Sequence, residues 1–270
     1  ALPSDRRHLA VGWLGSGVGL GVMFASILSG VLRSSSGDES WSSVYQIQFA
    51  VGFVLLLLVF LLIRHQQAKP SGGAGLGGFG ALRRMPGWLP LILAYATFGF
   101  INLLVIGFFT SRLEDDSGWS TSDAAFAFSV MGLAMVFGGP IFAAMANRFG
   151  LRMILATSFG TWPIFLGVVM TGYEVPVLIA CIGLGLLFSA FPILITLYVV
   201  QNTKPEDYGP SFSAATLAFG VTQIISPPVG GLIADITGSF TLVFILAGFM
   251  GLLGMLATLR LPIDVDRQGN

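Results

Sequence analysis

"GWLGSGVGLGVMFASILSG" (residues 12–30) places six glycines and three serines among nineteen positions that are otherwise apolar. A dinucleotide-binding loop needs G-x-G-x-x-G between a strand and a helix, whereas Gly15, Gly17, Gly19 and Gly21 simply alternate. A Gly/Ser linker is polar throughout, whereas Leu14, Val18, Leu20, Val22, Met23, Phe24, Ile27 and Leu28 are threaded through this stretch. What remains is a membrane helix with a face that something approaches closely. On such a helix Gly12, Gly15, Gly19, Ser26 and Gly30 fall near one stripe. Small residues on a stripe let a neighbouring helix come close inside lipid, where no hydrophobic effect drives association. The contact so formed is either a sliding one or a static one.

The rest of the chain agrees with a membrane origin. Of 270 residues, 54% are hydrophobic and 10% charged, and the mean hydropathy is +0.85. A water-soluble domain carries about 25% charged residues. Stretches of about 20 apolar residues, the length that crosses a bilayer core, occur at 10–32, 44–63, 88–110, 123–146, 151–171, 176–200, 212–234 and 239–260. They are continuous apolar runs, not ten-residue segments of alternating polarity, so they predict helices, not barrel strands. The expected fold class is therefore all-α, a polytopic bundle of about eight transmembrane helices.

Placing the ends and every second loop on one side collects Arg6, Arg7, Arg64, Lys69, Arg83, Arg84, Arg148, Arg152, Lys204, Arg260 and Arg267 there. Only Arg33 and Arg112 lie on the other side, beside the acidic run "RLEDDSGWSTSD". The basic side faces the cytoplasm in such proteins, which predicts a multi-pass protein of the cell (inner or plasma) membrane with both ends cytoplasmic. The chain opens on Ala1 and runs from "SDRRH" into the first span, in the manner of a signal peptide; seven further spans argue against that reading.

Catalytic chemistry finds little support. No H-E-x-x-H or G-x-S-x-G occurs, His8 and His65 flank spans, and Cys181 is the single cysteine, inside the sixth span. Neither a metal site nor a cofactor is expected, no disulfide framework can form, and no nucleic-acid partner is expected. The partners expected are a small-molecule solute and the lipid bilayer.

The longest polar interruption, "RHQQAKPSGGAGLGGFGALRRMPG", is Gly-rich and carries five basic residues, as a connector between two bundles does. Two spans precede it and six follow. Sliding the end of the chain over its beginning brings Ala10 onto Ala215, Gly15 onto Gly220, and Ala25 and Ser26 onto Gly230 and Gly231; "VGFVLL" then falls on "AGFMGL". The offset is the length of six spans with loops, and parallel six-helix repeats are one transporter plan.

With these features the chain resembles the major facilitator superfamily (MFS) of secondary transporters. "GGPIFAAMANRFGLRM" is similar to that family's loop motif G-x-x-x-D-R-x-G-R-R: Arg148 and Gly150 match, Arg152 is the second trailing arginine, and Ala143, Asn147 and Leu151 depart from it. The glycines of 12–30 resemble the family's fifth helix, and "FGVTQIISPPVGGLIADITGSF" the eleventh helix of its monocarboxylate-permease branch and of bacterial permeases of unassigned substrate. The resemblance implies helices five to twelve of twelve, with an N-terminally truncated chain. On it, 1–63 holds the last two helices of the first half, 64–87 the cytoplasmic connector, 88–262 the six-helix second half and 263–270 a tail. It implies alternating access in a protein that is monomeric when complete, by symport with a proton or as a uniporter, and an organic anion among the candidate solutes. A non-transporting membrane receptor or assembly protein on the same scaffold is the other reading.

Tyr95, Phe98, Asn102 and Phe109 share one helix face, at spacings of 3, 4 and 7. An amide at mid-span is costly in lipid, so Asn102 faces either a cavity or a partner helix. The resemblance implies that Tyr95, Phe98 and Asn102 line the central cavity. Thr216, Gly220, Gln223, Pro227 and Gly230 share a face of the eleventh-helix candidate, with Gln223 the deepest polar group. Thr216 and Gln223 join the substrate candidates, and Gly220, Pro227 and Gly230 join the packing ones. Pro227 and Pro228 predict a kink there, as Pro163 and Pro192 do in their spans. Arg148 and Arg152, with Arg6 and Arg7, form an inner gate or only fix topology. No span carries an Asp or Glu at its centre, and Asp235 lies at a helix end where a turn forms.

Overall fold

The computed structural model describes residues 16–62 and 77–262. Among them are nine α-helices, one short 3-10 turn and no strand. The helices are α1 (Ser16–Ser36), α2 (Trp41–Leu62), α3 (Gly77–Arg84), α4 (Trp88–Ser117), α5 (Thr121–Phe149), α6 (Leu151–Met170), α7 (Glu174–Asn202), α8 (Pro205–Thr237) and α9 (Thr241–Leu259). All but α3 are long and apolar enough to cross a bilayer. Gly12, Gly15, Arg6 and Arg7, residues 64–76 of the connector and the 263–270 tail lie outside the described residues.

Local chemistry sets the helix ends beyond the apolar runs. α4 continues through the polar "RLEDDS" to Ser117 and stops at Gly118, whose φ of 69° only glycine adopts at low cost. The N-cap of α5 is Ser120, whose hydroxyl accepts the Asp123 amide at 3.1 Å. α8 begins at Pro205, seven residues before its apolar run, because proline suits a first helical turn and Glu206 and Asp207 complement the helix dipole. α8 also continues unbroken past Pro227 and Pro228, as α6 does past Pro163 and α7 past Pro192.

Part of the Gly-rich connector is ordered structure rather than linker. α3 buries Ala81 and Leu82 and packs along α8. Gly78 sits so close to α8 that a Cβ there would lie 2.8 Å from the Pro210 carbonyl oxygen. Arg84 then pairs with Asp207 at 2.7 Å. Glycine here permits close docking of a surface helix, which composition alone reads as flexibility.

α4 to α9 pack together. α5 packs along α7, α6 along α9, and α4 along α8 and α9. An aromatic spine links four of them: Trp162 meets Phe188 edge-on at 4.9 Å, Phe159 lies 4.3 Å from Phe191, Phe191 stacks on Phe98 at 4.6 Å, and Phe98 stacks on Phe219 at 5.7 Å. Cys181 is buried in α7 beside this core. α1 packs along α5, and α2 buries none of its residues.

Candidate functional site

The five substrate candidates converge on one seam, between α4 and α8. Gln223 Nε2 donates to Asn102 Oδ1 at 2.8 Å. Two turns away along the same faces lie Tyr95 and Thr216, and the Thr216 hydroxyl donates to the Phe212 carbonyl at 2.8 Å. Between these polar pairs Phe219 stacks on Tyr95 at 4.7 Å and on Phe98. Phe109 stacks instead on Phe128 of α5, at 5.8 Å. The two halves of the set differ in access: Tyr95 and Phe98 are buried, while Asn102, Thr216 and Gln223 are half-buried.

Depth follows from chain position. Asn102 is fourteen residues into α4, about 21 Å along a helix rising 1.5 Å per residue. The pair therefore sits near the middle of the span. A single amide–amide hydrogen bond leaves the Asn102 Nδ2 donors and the Gln223 Oε1 acceptor to other partners. Donor and acceptor side by side at mid-depth suit a polar group such as a hydroxyl or carboxyl.

Along the glycine stripe of α1 the neighbour is α5. A Cβ at Gly19 would lie 2.6 Å from the Val136 amide nitrogen, and one at Gly132 would lie 2.6 Å from that of Met23, so the two backbones touch. Ser16 Oγ donates to the Val136 carbonyl at 2.6 Å and Ser26 Oγ to the Ala125 carbonyl at 2.7 Å. Gly30 meets the Ala125 methyl. On α8, Gly230 lies against Phe108 and Leu104 of α4, and Pro227 is half-buried. Gly220 departs from the packing expectation: a Cβ there meets nothing within 4 Å.

Gly150 is the one residue between α5 and α6, with φ at 92°, a left-handed value that a side chain would strain. Asn147 and Arg148 are exposed at the end of α5, and the Arg148 guanidinium lies 5.2 Å from the Phe149 ring centre. Arg152 donates to the Leu259 carbonyl, capping the C-terminus of α9. That contact gives Arg152 a packing partner rather than one across the bundle.

At the end of the bundle with few basic residues, here called outer, sequence reasoning missed two charge clusters. Arg112 is buried, donating to Ser117 Oγ at 2.8 Å and to the Met170 carbonyl at 2.9 Å, with its Nε 3.4 Å from Asp116. Asp116 in turn accepts from Ser239 Oγ at 2.8 Å and the Phe240 amide at 2.9 Å. One ion pair thus ties α4 to the α6–α7 and α8–α9 turns. The other cluster crosses to α1: Arg33 Nη1 donates to both Glu114 oxygens, at 3.0 and 3.2 Å. The signal was the pair of arginines stranded beside "LEDD".

A family model described as "Uncharacterised MFS-type transporter YbfB" matches residues 2–259. Rat solute carrier family 22 member 18 is 22% identical over 236 residues, which are 84% of this chain. The chain spans 57% of that relative's length. A crystal structure of the Escherichia coli fucose:proton symporter FucP superposes with a TM-score of 0.63 at 17% identity, over 95% of this chain and 69% of FucP. A bacterial homologue of the human lysosomal transporter Spinster, inward-facing and unoccupied, gives a TM-score of 0.58 at 15% identity, over 95% and 72%.

Proposed function

Because the chain belongs to the MFS-type transporter family described by YbfB, and is thereby a multi-pass membrane protein, we propose that it acts in a secondary active permease for a small organic solute. The two bodies of the proposal are α1 with α2, and α4 to α9 with the docked α3. They rock about a midplane site, which alternates between the two sides of the membrane. Asn102 and Gln223, half-buried at mid-depth with donor and acceptor capacity to spare, are the observation that carries this reading. Tyr95, Phe98 and Thr216, on the same two helix faces and joined across the seam by the Phe219 ring, complete the proposed site.

The solute fitted by such a site presents hydroxyl or carboxyl oxygens to two neutral amides, and proton symport is the coupling proposed. Facilitative uniport is the second reading. It is favoured by the lack of any central Asp or Glu in the described spans, since coupled carriers usually place one there. On the charge distribution the protein sits in the cell membrane with Arg84, Arg148 and Arg152 at its cytoplasmic end.

Flux through the whole protein in proteoliposomes tests these readings, using panels of monocarboxylates and of sugars. Uptake accelerated by an inward proton gradient supports symport; equilibration indifferent to the gradient supports uniport. Binding of a panel solute without flux would make the protein a receptor and overturn the proposal.

A further inference from the structure

α4 has a second face, away from the amide pair, that borders a groove. Leu89, Leu93 and Thr97 of α4 meet Leu253, Leu256 and Arg260 of α9 around a cavity of about 400 Å³. At about 3.6 residues per turn these α4 positions lie roughly opposite Tyr95, Phe98 and Asn102. Close approach fixes both ends of the groove. At the basic end a Cβ on Gly87 would lie 2.5 Å from Pro262 Cδ, and the Tyr198 hydroxyl donates to the Pro86 carbonyl at 3.0 Å. At the deep end a Cβ on Gly254 would lie 2.8 Å from Thr97 Oγ1. Between these contacts the four leucines remain exposed.

Length and charge say what fits there. From Leu89 to Thr97 the helix rises about 12 Å, against about 15 Å for half of a bilayer's hydrocarbon core. Trp88, just before Leu89, suits the headgroup level, where tryptophan concentrates. The groove therefore runs through most of one leaflet and stops. A second helix would need apolar contact through both leaflets, whereas an acyl chain needs only one. Arg260 closes the basic end of the groove at the C-cap of α9. It is exposed, and among the described residues its side chain has no hydrogen-bond or ion-pair partner. Arg84 and Arg152 are instead committed, to Asp207 and to the Leu259 carbonyl. Arg83 adds a second cation near that level, 5.8 Å from the centre of the Trp88 ring. No acidic side chain lines the groove.

We propose that this groove binds one anionic phospholipid from the leaflet at the basic end, with an acyl chain between α4 and α9 and the phosphate on Arg260. The inference goes beyond the carrier reading and needs only the membrane-spanning bundle. An apolar groove accepts any acyl chain, so Arg260 supplies the discrimination between headgroups. A phosphatidylglycerol headgroup has net negative charge to offer it, whereas phosphatidylcholine carries its own cation beside the phosphate. Basic pockets between membrane helices recognise anionic headgroups in this way.

The test titrates the whole protein, purified in detergent, with phosphatidylglycerol or phosphatidylcholine of identical chains, and counts bound lipid by native mass spectrometry. The parent should bind its first phosphatidylglycerol about five-fold more tightly than phosphatidylcholine, the effect of one basic side chain on an anionic lipid. Arg260→Gln should remove that preference and leave phosphatidylcholine binding as it was, and Arg260→Lys should retain it. Ala257→Trp fills the groove with Arg260 in place and should weaken both lipids; Leu93→Trp, on the facing helix, does the same if Ala257→Trp fails to fold. Arg148→Gln removes an exposed arginine outside the groove and should change neither lipid. A preference that survives Arg260→Gln, or that Arg148→Gln removes equally, overturns the proposal, because charge would then act without a site. Unchanged lipid binding in the groove-filling variant overturns it too. So does a dimer that this variant dissociates, since the groove would then be an interface between copies.

Discussion

Ser16 of α1 donates its hydroxyl, at 2.6 Å, to the carbonyl of Val136 in α5, the one carbonyl there that Pro140 leaves without its helical donor. In a regular helix the amide of residue 140 would bond to that oxygen, four residues back; proline has no such hydrogen. In lipid an unmet carbonyl has no water to turn to. A neighbouring helix repairs it, and the repair ties two parts of the protein together. Ser226 reaches in the same way, at 3.5 Å, toward the Gln223 carbonyl that Pro227 frees, although there the donor comes from its own helix.

This pairing predicts a coupled pair of substitutions. Ser16→Ala should lower stability by about 0.6 to 1.7 kcal/mol, the range found for hydrogen bonds between membrane helices. In a Pro140→Ala background the helix supplies its own amide to Val136, so Ser16→Ala should cost less there. Thermal unfolding of the four proteins of the cycle in detergent measures the difference, and strict additivity would remove the account of Pro140.

The amide pair makes a second prediction. Asn102→Leu and Gln223→Leu should each abolish most solute flux while leaving expression and unfolding temperature near those of the parent. If the pair serves only to join α4 to α8, both variants lose stability instead, and the double variant, which leaves no orphaned amide, recovers much of it. Flux and unfolding measured on the same samples separate these outcomes.

How far the sequence reaches is visible in particular residues. The eight spans are legible because apolar runs of bilayer length have no other common explanation, and the family is legible in "NRFG" with its glycine-rich partner helices. Helix ends were less so: α4 runs to Ser117 and α8 starts at Pro205, beyond the apolar runs, since polar turns outside the hydrocarbon remain helical. α3 escaped because glycine in "GGFGALRR" signals mobility by composition and close packing by geometry. Asn102 and Gln223 were recognisable singly as polar groups at mid-span. Their bond to each other was not, because 121 residues separate them and hydropathy carries no information about which helices touch. The same holds for Arg33 and Glu114.

Arg112 and Asp116 predict a larger effect than any surface pair. Both are close to fully buried, at 5% and 10% side-chain exposure. Removing one partner leaves a buried charge uncompensated, which costs about 3 to 5 kcal/mol. Arg112→Leu should therefore unfold at a much lower temperature or fail to accumulate, and Arg112→Leu with Asp116→Leu should regain part of the loss. Arg84→Ala provides the contrast: with 64% of its side chain exposed, it should change the unfolding temperature little. Equal losses at the two sites would contradict the buried-clamp account.

The glycines of α1 allow the sharpest comparison, because neighbouring positions of the same helix meet different surroundings. At Gly19 a Cβ would strike the backbone of α5, with the Gly132 oxygen at 2.8 Å and the Met135 carbonyl carbon at 2.9 Å, whereas at Gly21 nothing lies within 4 Å. Backbone atoms cannot rotate away as a side chain does, so a larger residue at position 19 must push α1 off α5. Gly19→Leu should therefore separate the two helices, and Gly21→Leu should be tolerated or slightly stabilising, since leucine favours a helix over glycine by most of 1 kcal/mol. Disulfide formation between cysteines at Ser26 and Ala125, whose side chain and carbonyl now meet, reports the separation directly. Cross-linking should fall sharply in Gly19→Leu and persist in Gly21→Leu. If flux is lost in Gly19→Leu while the protein still inserts and folds, the contact moves during the cycle; if insertion fails, it is fixed packing, and the rocking of α1 against α5 loses its support.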